Sequence, residues 1–459
     1  MSDKQPVAGS FRDPDGFLFQ QDGVLYRQVN PGYRDNYQAL MQSGLYRQLT
    51  GKGWLIAHKE VAAPADSNAC IILQPDRVGS LSYPYEWSFS QLKDAALLTL
   101  DIQRLALASN LSLKDASAFN IQFHQGRPVF IDTLSFERYQ EGQPWVAYRQ
   151  FCQHFLAPLA VMAKTDIRLA QLLRSNIDGI PLPLASRLLP FSSRLNLGLG
   201  LHIHLHARSQ LKNAATAVQQ QTTGKRFSRQ AFLALLDHLR STVSKLQWQA
   251  VNTEWFDYYQ NNNNYLDEAM THKETLVDDF IRDTSYTRCW DLGANTGRFS
   301  RIAARYCDEV CAWDIDPACV DLHYRHCREQ NSKNILPLLL DLTNPSPAIG
   351  WNHDERLSLK QRSPVDLVLA LGLVHHLAIS NNLPLEKIAA FLADIAHSIV
   401  IEFVPKSDSQ VKKLLQNRQD IFPDYHAAHF EQVFSRHFQL VKKSGIHNSE
   451  RTLYLYRKK

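Results

Sequence analysis

Residues Cys289 to Ser300 read CWDLGANTGRFS, and a second apolar run, VCAWD from Val310, ends in an acid at Asp314. The first run closes on Asp291, turns through Gly293 and Gly297, and opens into Phe299, Ile302, Ala303 and Tyr306 at helical spacing. This pattern predicts a strand, a glycine loop and a helix. Glycines let backbone approach a ligand without a Cβ in the way, and a helix N-terminus offers unpaired N–H groups. A nucleoside-bearing cofactor is the expected occupant.

Spacing narrows the choice. A dinucleotide site wants G-x-G-x-x-G, so that a pyrophosphate sits on the helix N-terminus and a third glycine lets helix and strand pack closely. Here the loop runs Gly293-Ala294-Asn295-Thr296-Gly297-Arg298, without the second and third glycines of that fingerprint. A P-loop is excluded as well, since no Gly-Lys-Ser or Gly-Lys-Thr follows. The segment resembles motif I of the class I S-adenosylmethionine (SAM) methyltransferases, in the form D-x-G-x-N-x-G. Asparagine stands where glycine is commoner, and asparagine tolerates left-handed backbone.

The remaining parts follow in order. Asp314 ends the second strand about 20 residues after the loop, where a carboxylate can accept both ribose hydroxyls. Asp316 and Pro317 read as a turn and helix start. A third apolar run, ILPLLLDL, reaches Asp341; the resemblance implies that Asp341 faces the adenine amino group, with Leu342 and Ile315 packing on the ring. A fourth run, VDLVLALGLVHHL, carries Leu371 and Gly372 near where the methionine part of SAM would lie. A helix around Ile388 to Ile395 and a fifth strand, SIVIEFVP, come next, and the chain closes with two strands around a turn, as in this superfamily. Strands alternating with helices predict a mostly parallel sheet covered on both faces, and the resemblance implies that it is the seven-stranded Rossmann-like sheet of an α/β class I methyltransferase domain over 265–459.

Methyl transfer from a sulfonium is an in-line displacement on an activated carbon, so holding the acceptor in line does most of the work. A base is needed only when the acceptor loses a proton. Candidates are His375 and His376 beyond the fourth strand and Glu402 at the end of the fifth, at the carboxyl edge where open α/β sheets bind ligands. The Asn-Pro-Pro-Tyr type tetrad is missing there, which argues against nucleobase-amine or glutamine methylation and favours oxygen, carbon or another nitrogen.

Composition bounds the rest. At 459 residues the chain exceeds one ordinary domain, and the C-terminal core uses fewer than half of it. Hydrophobic content of 44% with 21% charged residues is ordinary for a soluble globular protein, and a net charge of +5 gives no real push toward nucleic acid. No apolar run reaches membrane-spanning length, and the start, MSDKQPVAGSFRDPDG, is too polar for a signal peptide. Seven cysteines, five of them from Cys289 to Cys327, suggest a reducing cytoplasm. Cys307, Cys311, Cys319 and Cys327 form no C-x-x-C pair, so they read as core thiols and no metal is expected.

The boundary falls in a polar stretch. QQQTTGKRFS (219–228) precedes an amphipathic helix with Phe232, Leu235, Leu236 and Leu239, and the Asn261–Asn264 run follows, so 211–264 reads as a helical linker. Residues 1–210 form an N-terminal α+β domain. In LKDASAFNIQFHQGRPVFID, Asp115 precedes Asn120 by a D-x-x-x-x-N interval and Asp132 ends a strand after a Gln-Gly turn, which resembles the catalytic loop and metal-binding aspartate of kinases. LIAHKEV could set Lys59 on a strand as the phosphate-pairing lysine. The departures are the lack of a Gly-rich loop, the lack of His or Arg before Asp115, and Thr-Leu-Ser after Asp132. The alternative is a helix and hairpin whose acids and amide shape turns. His202, His204 and His206 alternate as on one strand face, more simply a half-buried polar face than a metal site. The Pro-punctuated apolar run from Pro181 to Leu201 could pack between domains, or meet a membrane surface or another protein.

Over its full length, in LSYPYEWSFSQLK, LKDASAFNIQF, IDTLSFE, WDLGANTGRFSR, NPSPAIGW, LVHHLAISNN and IEFVPKSD, the chain resembles bacterial class I methyltransferase-like proteins related to a rhizobial host-specific nodulation protein. The resemblance implies SAM as cofactor and names no acceptor. The expected function is methyl transfer to an unidentified acceptor that the N-terminal domain recognises or presents. The Thr343–Pro364 loop, with Trp351, Glu355, Arg356 and Arg362, is a candidate place for acceptor or interdomain contacts. Two alternatives stand beside it: a SAM-binding regulatory or scaffold protein with a degenerate kinase-like half, and a bifunctional protein with an active N-terminal phosphotransferase.

Overall fold

The computed structural model describes residues 4–62, 69–209, 227–249, 267–416 and 418–459. The chain divides into two compact units, one made of Met1–Gln249 with Ile349–Arg356, the other of Ala250–Ala348 with Leu357–Lys459. Most of the expected linker, including the Asn261–Asn264 run, lies outside the described residues. Its amphipathic helix is present as Arg229–Lys245, capped by the Ser228 side chain and burying Phe232, Leu236 and Leu239.

The N-terminal unit opens with a five-stranded antiparallel sheet. Its strands are β1 (Gln5–Pro6), β2 (Gly16–Gln21), β3 (Val24–Val29), β4 (His58–Val61) and β5 (Ile71–Pro75), in the order β1-β2-β3-β5-β4. The β2–β3 turn is Asp22-Gly23, both at positive φ, as a two-residue hairpin in a right-twisted sheet requires. A buried helix, Phe89–Ala108, begins at a Ser88/Gln91 capping box. Two small ribbons follow, β6 (Leu111–Leu113) with β9 (Phe136–Arg138) and β7 (Ile121–His124) with β8 (Arg127–Phe130).

His202, His204 and His206 do not share a strand face. They lie in a helical segment, Gly200–Leu205, and its continuation, because the run around them packs as a helix against the body of the unit. The His202 ring meets Tyr148 Oη at 2.7 Å and His238 at 2.8 Å, while His204 meets Ser186 and Ser193 at 2.8 Å each. These are satisfied core polar groups.

The C-terminal unit is built on the seven-stranded sheet that the sequence predicts. Strands β10 (Tyr286–Leu292), β11 (Cys307–Asp314), β12 (Ile335–Leu339), β13 (Val365–Ala370), β14 (Ala396–Phe403), β15 (Phe438–Gly445) and β16 (Thr452–Lys458) take the order β12-β11-β10-β13-β14-β16-β15. β10 to β14 are parallel, and β16 and β15 close the edge antiparallel. Parallel strands covered on both faces read as near-continuous apolar runs, as VDLVLA and SIVIEF do apart from Asp366, Ser398 and Glu402. The core joins Ala269, Val277 and Ile281 of helix Asp267–Ile281 to Phe299, Ile302, Leu367, Leu369 and Val400. Each large aliphatic side chain so buried contributes roughly 1.5–3 kcal/mol. Six of the seven cysteines are buried and all are free.

Strand order reverses between β10 and β13. The chain leaves these neighbouring strands toward opposite sides, and the crevice outside their carboxyl ends is where open α/β sheets bind ligands.

Candidate cofactor site

The loop after β10 turns back on the neighbouring strand, with the N–H groups of Gly293 and Ala294 both donating to the Trp313 carbonyl at 2.9 Å. Gly293, Asn295 and Gly297 have φ of 77°, 51° and 80°, so left-handed backbone is used three times in five residues. Asparagine at 295 fits, being among the residues that visit this region readily. Gly297 carries a second constraint: a Cβ there would stand 2.0 Å from the His323 ring.

Two acids frame this loop. Asp291 is buried, and its Oδ2 accepts from Ser300 Oγ at 2.6 Å, tying the strand end to the first turn of helix Arg298–Ala303. Asp314, at the end of β11, accepts from the Asn295 N–H at 2.7 Å and the Asp316 N–H at 2.8 Å. The Ile315 N–H also bonds it, and since a carboxylate offers about four lone-pair sites, acceptor capacity remains for a hydroxyl donor. Burial pushes both acids up to about 6, against which the backbone N–H bonds pull Asp314 down.

Farther along the carboxyl edge, Asp341 is half-buried beyond β12, its Oδ1 accepting from the Thr343 N–H at 2.8 Å and hydroxyl at 2.6 Å. Leu342 is half-buried, and Ile315, directly after a buried acid, is 58% exposed. Past β13, Leu371 is buried and Gly372 has φ 64°. The chain then turns helical through His375 and His376, whose ring centres lie 4.1 Å apart. His375 is buried, with neither ring nitrogen hydrogen-bonded among the described residues. Burial holds its pKa well below the ordinary value and holds His376 down to about 4, so both rings are neutral at pH 7.

Glu402 is fully buried and engaged. Lys273 Nζ donates to its Oε2 at 2.7 Å, and Arg451 Nη1 lies 3.5 Å from its Oε1 while also pairing with Asp408 at 2.7 Å. Lys273 Nζ also stands 4.8 Å over the Phe299 ring. The sequence reading missed Ser300, His323, Lys273 and Arg451. Ser300 lay inside the quoted motif and was legible there; Lys273 and Glu402 are separated by 129 positions, and no local pattern joins them.

No family model matches the chain. Nodulation protein NoeA of Rhizobium meliloti (strain 1021) is 35% identical over 460 residues, covering 98% of this chain and 95% of the relative. The chain belongs to the NoeA family. Kinship with NoeA takes in the N-terminal unit as well as the sheet that carries the loop. Among solved structures, N-methyltransferase NodS from Bradyrhizobium japonicum WM9 in complex with S-adenosyl-L-homocysteine is 11% identical, covering 44% of this chain and 94% of its own, with a TM-score of 0.33. Magnesium protoporphyrin IX methyltransferase (ChlM) from Synechocystis PCC 6803 is 15% identical, covering 44% and 97%, with a TM-score of 0.31. Likeness this slight does not speak to chemistry.

In the N-terminal unit the residues singled out by sequence come together, with one exception. The Ser135 hydroxyl donates to Asp132, and Asn120 Nδ2 donates to Ser135 Oγ at 3.3 Å. Asp115 is pushed up by burial, opposed by its bond from the Ser117 N–H. Lys59 is the exception: it lies exposed on β4 at the edge of the sheet. The cation that reaches Asp132 is Arg27 of β3, with Nη1 2.6 Å from Oδ1, because β3 lies inside the sheet. Of the Thr343–Pro364 loop, Ile349–Arg356 packs within the N-terminal unit, where Arg12 grips Glu355 through two bonds of 2.7 Å and Arg356 lies 4.3 Å over the Phe119 ring. Arg362 lies 5.4 Å over Trp313 in the other unit, and Trp351 is exposed.

Proposed function

We propose that this protein transfers a methyl group from SAM to an acceptor held at the carboxyl edge of the C-terminal sheet. The observation that carries this reading is the Asp314 carboxylate, buried at the end of β11, oriented by the backbone N–H groups of Asn295, Ile315 and Asp316 and still able to accept from a hydroxyl. A ribose hydroxyl is the matching partner. Gly293, Asn295 and Gly297 then let backbone run close to the cofactor, and Asp291 fixes the loop through Ser300. Asp341 would take the adenine amino group, Ile315 and Leu342 the ring faces, and Leu371 and Gly372 the amino-acid end.

The bound cofactor supplies an activated methyl group. What the chain must add is an acceptor oriented in line and, for an O–H or N–H acceptor, a place for the proton. His375 and His376, buried and neutral at pH 7, can take it on a ring nitrogen. Glu402 is a poorer base, because Lys273 and Arg451 already occupy its oxygens; its part is to hold the edge of β14 against helix Asp267–Ile281. The acceptor is an oxygen, carbon or nitrogen of a small molecule or macromolecule. Calorimetry with SAM and with its demethylated product tests the reading: binding to the wild type that is lost in Asp314→Ala supports it, and no binding to the wild type sinks it. Transfer of labelled methyl into lysate fractions then identifies the acceptor class, and binding without transfer to any fraction favours a regulatory SAM-binding role.

A second reading, phosphotransfer by a kinase-like N-terminal unit, draws on the linked Asp132, Ser135 and Asn120 side chains and on Arg27 beside them. Protection by magnesium-ATP that disappears in Asp132→Ala would favour it, and absence of nucleotide binding would remove it.

A further inference from the structure

We propose that the N-terminal unit docks on an anionic lipid bilayer through the face bearing Phe191, Leu195, Leu197, Leu201 and Leu205. These side chains are 73%, 80%, 84%, 42% and 55% exposed. Scattered exposed leucines are ordinary, but five large apolar groups within fifteen residues mark a binding surface. Leu197, Leu201 and Leu205 recur every four residues along the helix that starts at Leu197, so they share one side. The opposite side is spoken for: Leu199, His202, Ile203 and His204 are buried. Gly198 lies so close to Thr242 that a Cβ there would stand 2.2 Å from its hydroxyl. The helix is therefore seated on the unit by one face and presents leucines on the other.

Charge selects the partner. From 179 to 236 the sequence contains no Asp or Glu and seven Lys or Arg. The whole chain carries +5, so everything outside this stretch sums to −2. Arg187, Arg194 and Arg208 are exposed within the same stretch as the leucines, and the Arg194 guanidinium lies 5.2 Å over the Phe191 ring. An arginine that lays its stem along an apolar group and keeps its head in water suits the boundary between headgroups and acyl chains. A bilayer with anionic headgroups offers both complements at one surface, an apolar layer for the leucines and phosphates for the arginines. A protein partner would have to supply an apolar patch and an acidic rim together. Among the described residues no helix is long and apolar enough to cross a membrane, so the contact is interfacial.

The test is sedimentation of the full chain with phosphatidylcholine vesicles and with vesicles containing about a third phosphatidylglycerol. Binding to the anionic vesicles is expected, weakening as salt is raised. Since each basic residue near an anionic surface contributes about fivefold in affinity, Arg187→Gln with Arg194→Gln and Arg208→Gln should weaken it on the order of a hundredfold. Leu197→Gln with Leu201→Gln and Leu205→Gln should abolish it while lowering the melting temperature little, since these are the exposed side chains of the helix and the buried face that seats it is untouched. A Phe191→Trp reporter should shift to the blue with anionic vesicles only. Equal sedimentation with both vesicle types, or full binding by the leucine variant, would overturn the proposal. So would concentration-dependent self-association that vanishes in the leucine variant, which would assign the face to a second copy of the chain.

Discussion

The imidazole of His323 fills the space that a side chain at position 297 would need. A Cβ on Gly297 would lie 2.0 Å from both Cε1 and Nε2 of that ring, and the backbone there has φ 80°. Helix Pro317–Glu329, which carries His323, thereby holds the glycine loop from beneath.

Gly297→Ala should suffer twice. Left-handed backbone without glycine costs about 1 kcal/mol, and overpacking a core costs typically 1–3 kcal/mol more. Denaturant unfolding should record the sum, and Gly297→Ala combined with His323→Ala should recover the steric part. Additive losses in the double variant would show that the ring is not what excludes a side chain here.

Cofactor affinity should depend on pH through Asp314. Its carboxyl is held up to about 6 by burial, and hydroxyl donors need the ionised form. Affinity for SAM is therefore expected to be full at neutral pH and to fall as pH drops through about 6. Asp314→Asn should be weak throughout and flat with pH. A wild-type affinity constant from pH 7.5 to 5 would contradict the assignment.

The Lys273–Glu402 pair is a stability element before it is anything else. Both groups are buried, Nζ to Oε2 is 2.7 Å, and burial presses the lysine pKa downward. Removing one partner of a buried pair strands the other charge and typically costs 3–5 kcal/mol. Lys273→Met should lower stability by about that much, and adding Glu402→Gln should restore part of it, leaving Arg451 to Asp408. Were Glu402→Gln alone to abolish transfer while the melting temperature held, Glu402 would be a catalytic residue after all.

Acid should unfold the protein early. Burial pulls His202 and His323 down to about 3 and His154 and His376 to about 4, against roughly 6.5 when unfolded. Between those values the unfolded chain binds more protons, so stability falls as pH drops from about 6.5 toward 4, by about 1.4 kcal/mol per pH unit for each such ring. Asp291 and Asp314, raised to about 6, and Asp13, Asp115 and Glu137, also raised by burial, act in the opposite direction, but His58, pulled down to about 4, and His375, held well below its ordinary value, join the four rings and outweigh them. Urea midpoints at pH 7, 6 and 5 should therefore decline. A rise over that range would mean that these rings are not buried and neutral.

How much of this was legible in the sequence differs between the halves. Asp291, the loop glycines and Asp314 lie within 24 residues of one another, and their spacing follows from one strand, one turn and one helix. Local rules therefore reached them. In the N-terminal half the same rules found Asp115, Asn120 and Asp132 but chose Lys59 as their cation. Strand propensity cannot say which strand lies inside a sheet, and order β1-β2-β3-β5-β4 puts Lys59 on the outer strand and Arg27 within reach of Asp132. The alternating histidines failed for a related reason: a period of two fits a strand, yet the segment buries more by coiling against helix Arg229–Lys245.

By itself, then, the sequence determined the parallel sheet, the left-handed loop and the acids at its two strand ends, because each depends on residues a few positions apart. Tertiary structure alone decided that His323 closes the space under Gly297, that Lys273 and Arg451 take up Glu402, and that His375 is buried with no partner for its ring nitrogens among the described residues. Those outcomes depend on which distant groups share a dry interior. There a charge must find a partner, and a side chain must yield to whatever already fills the volume.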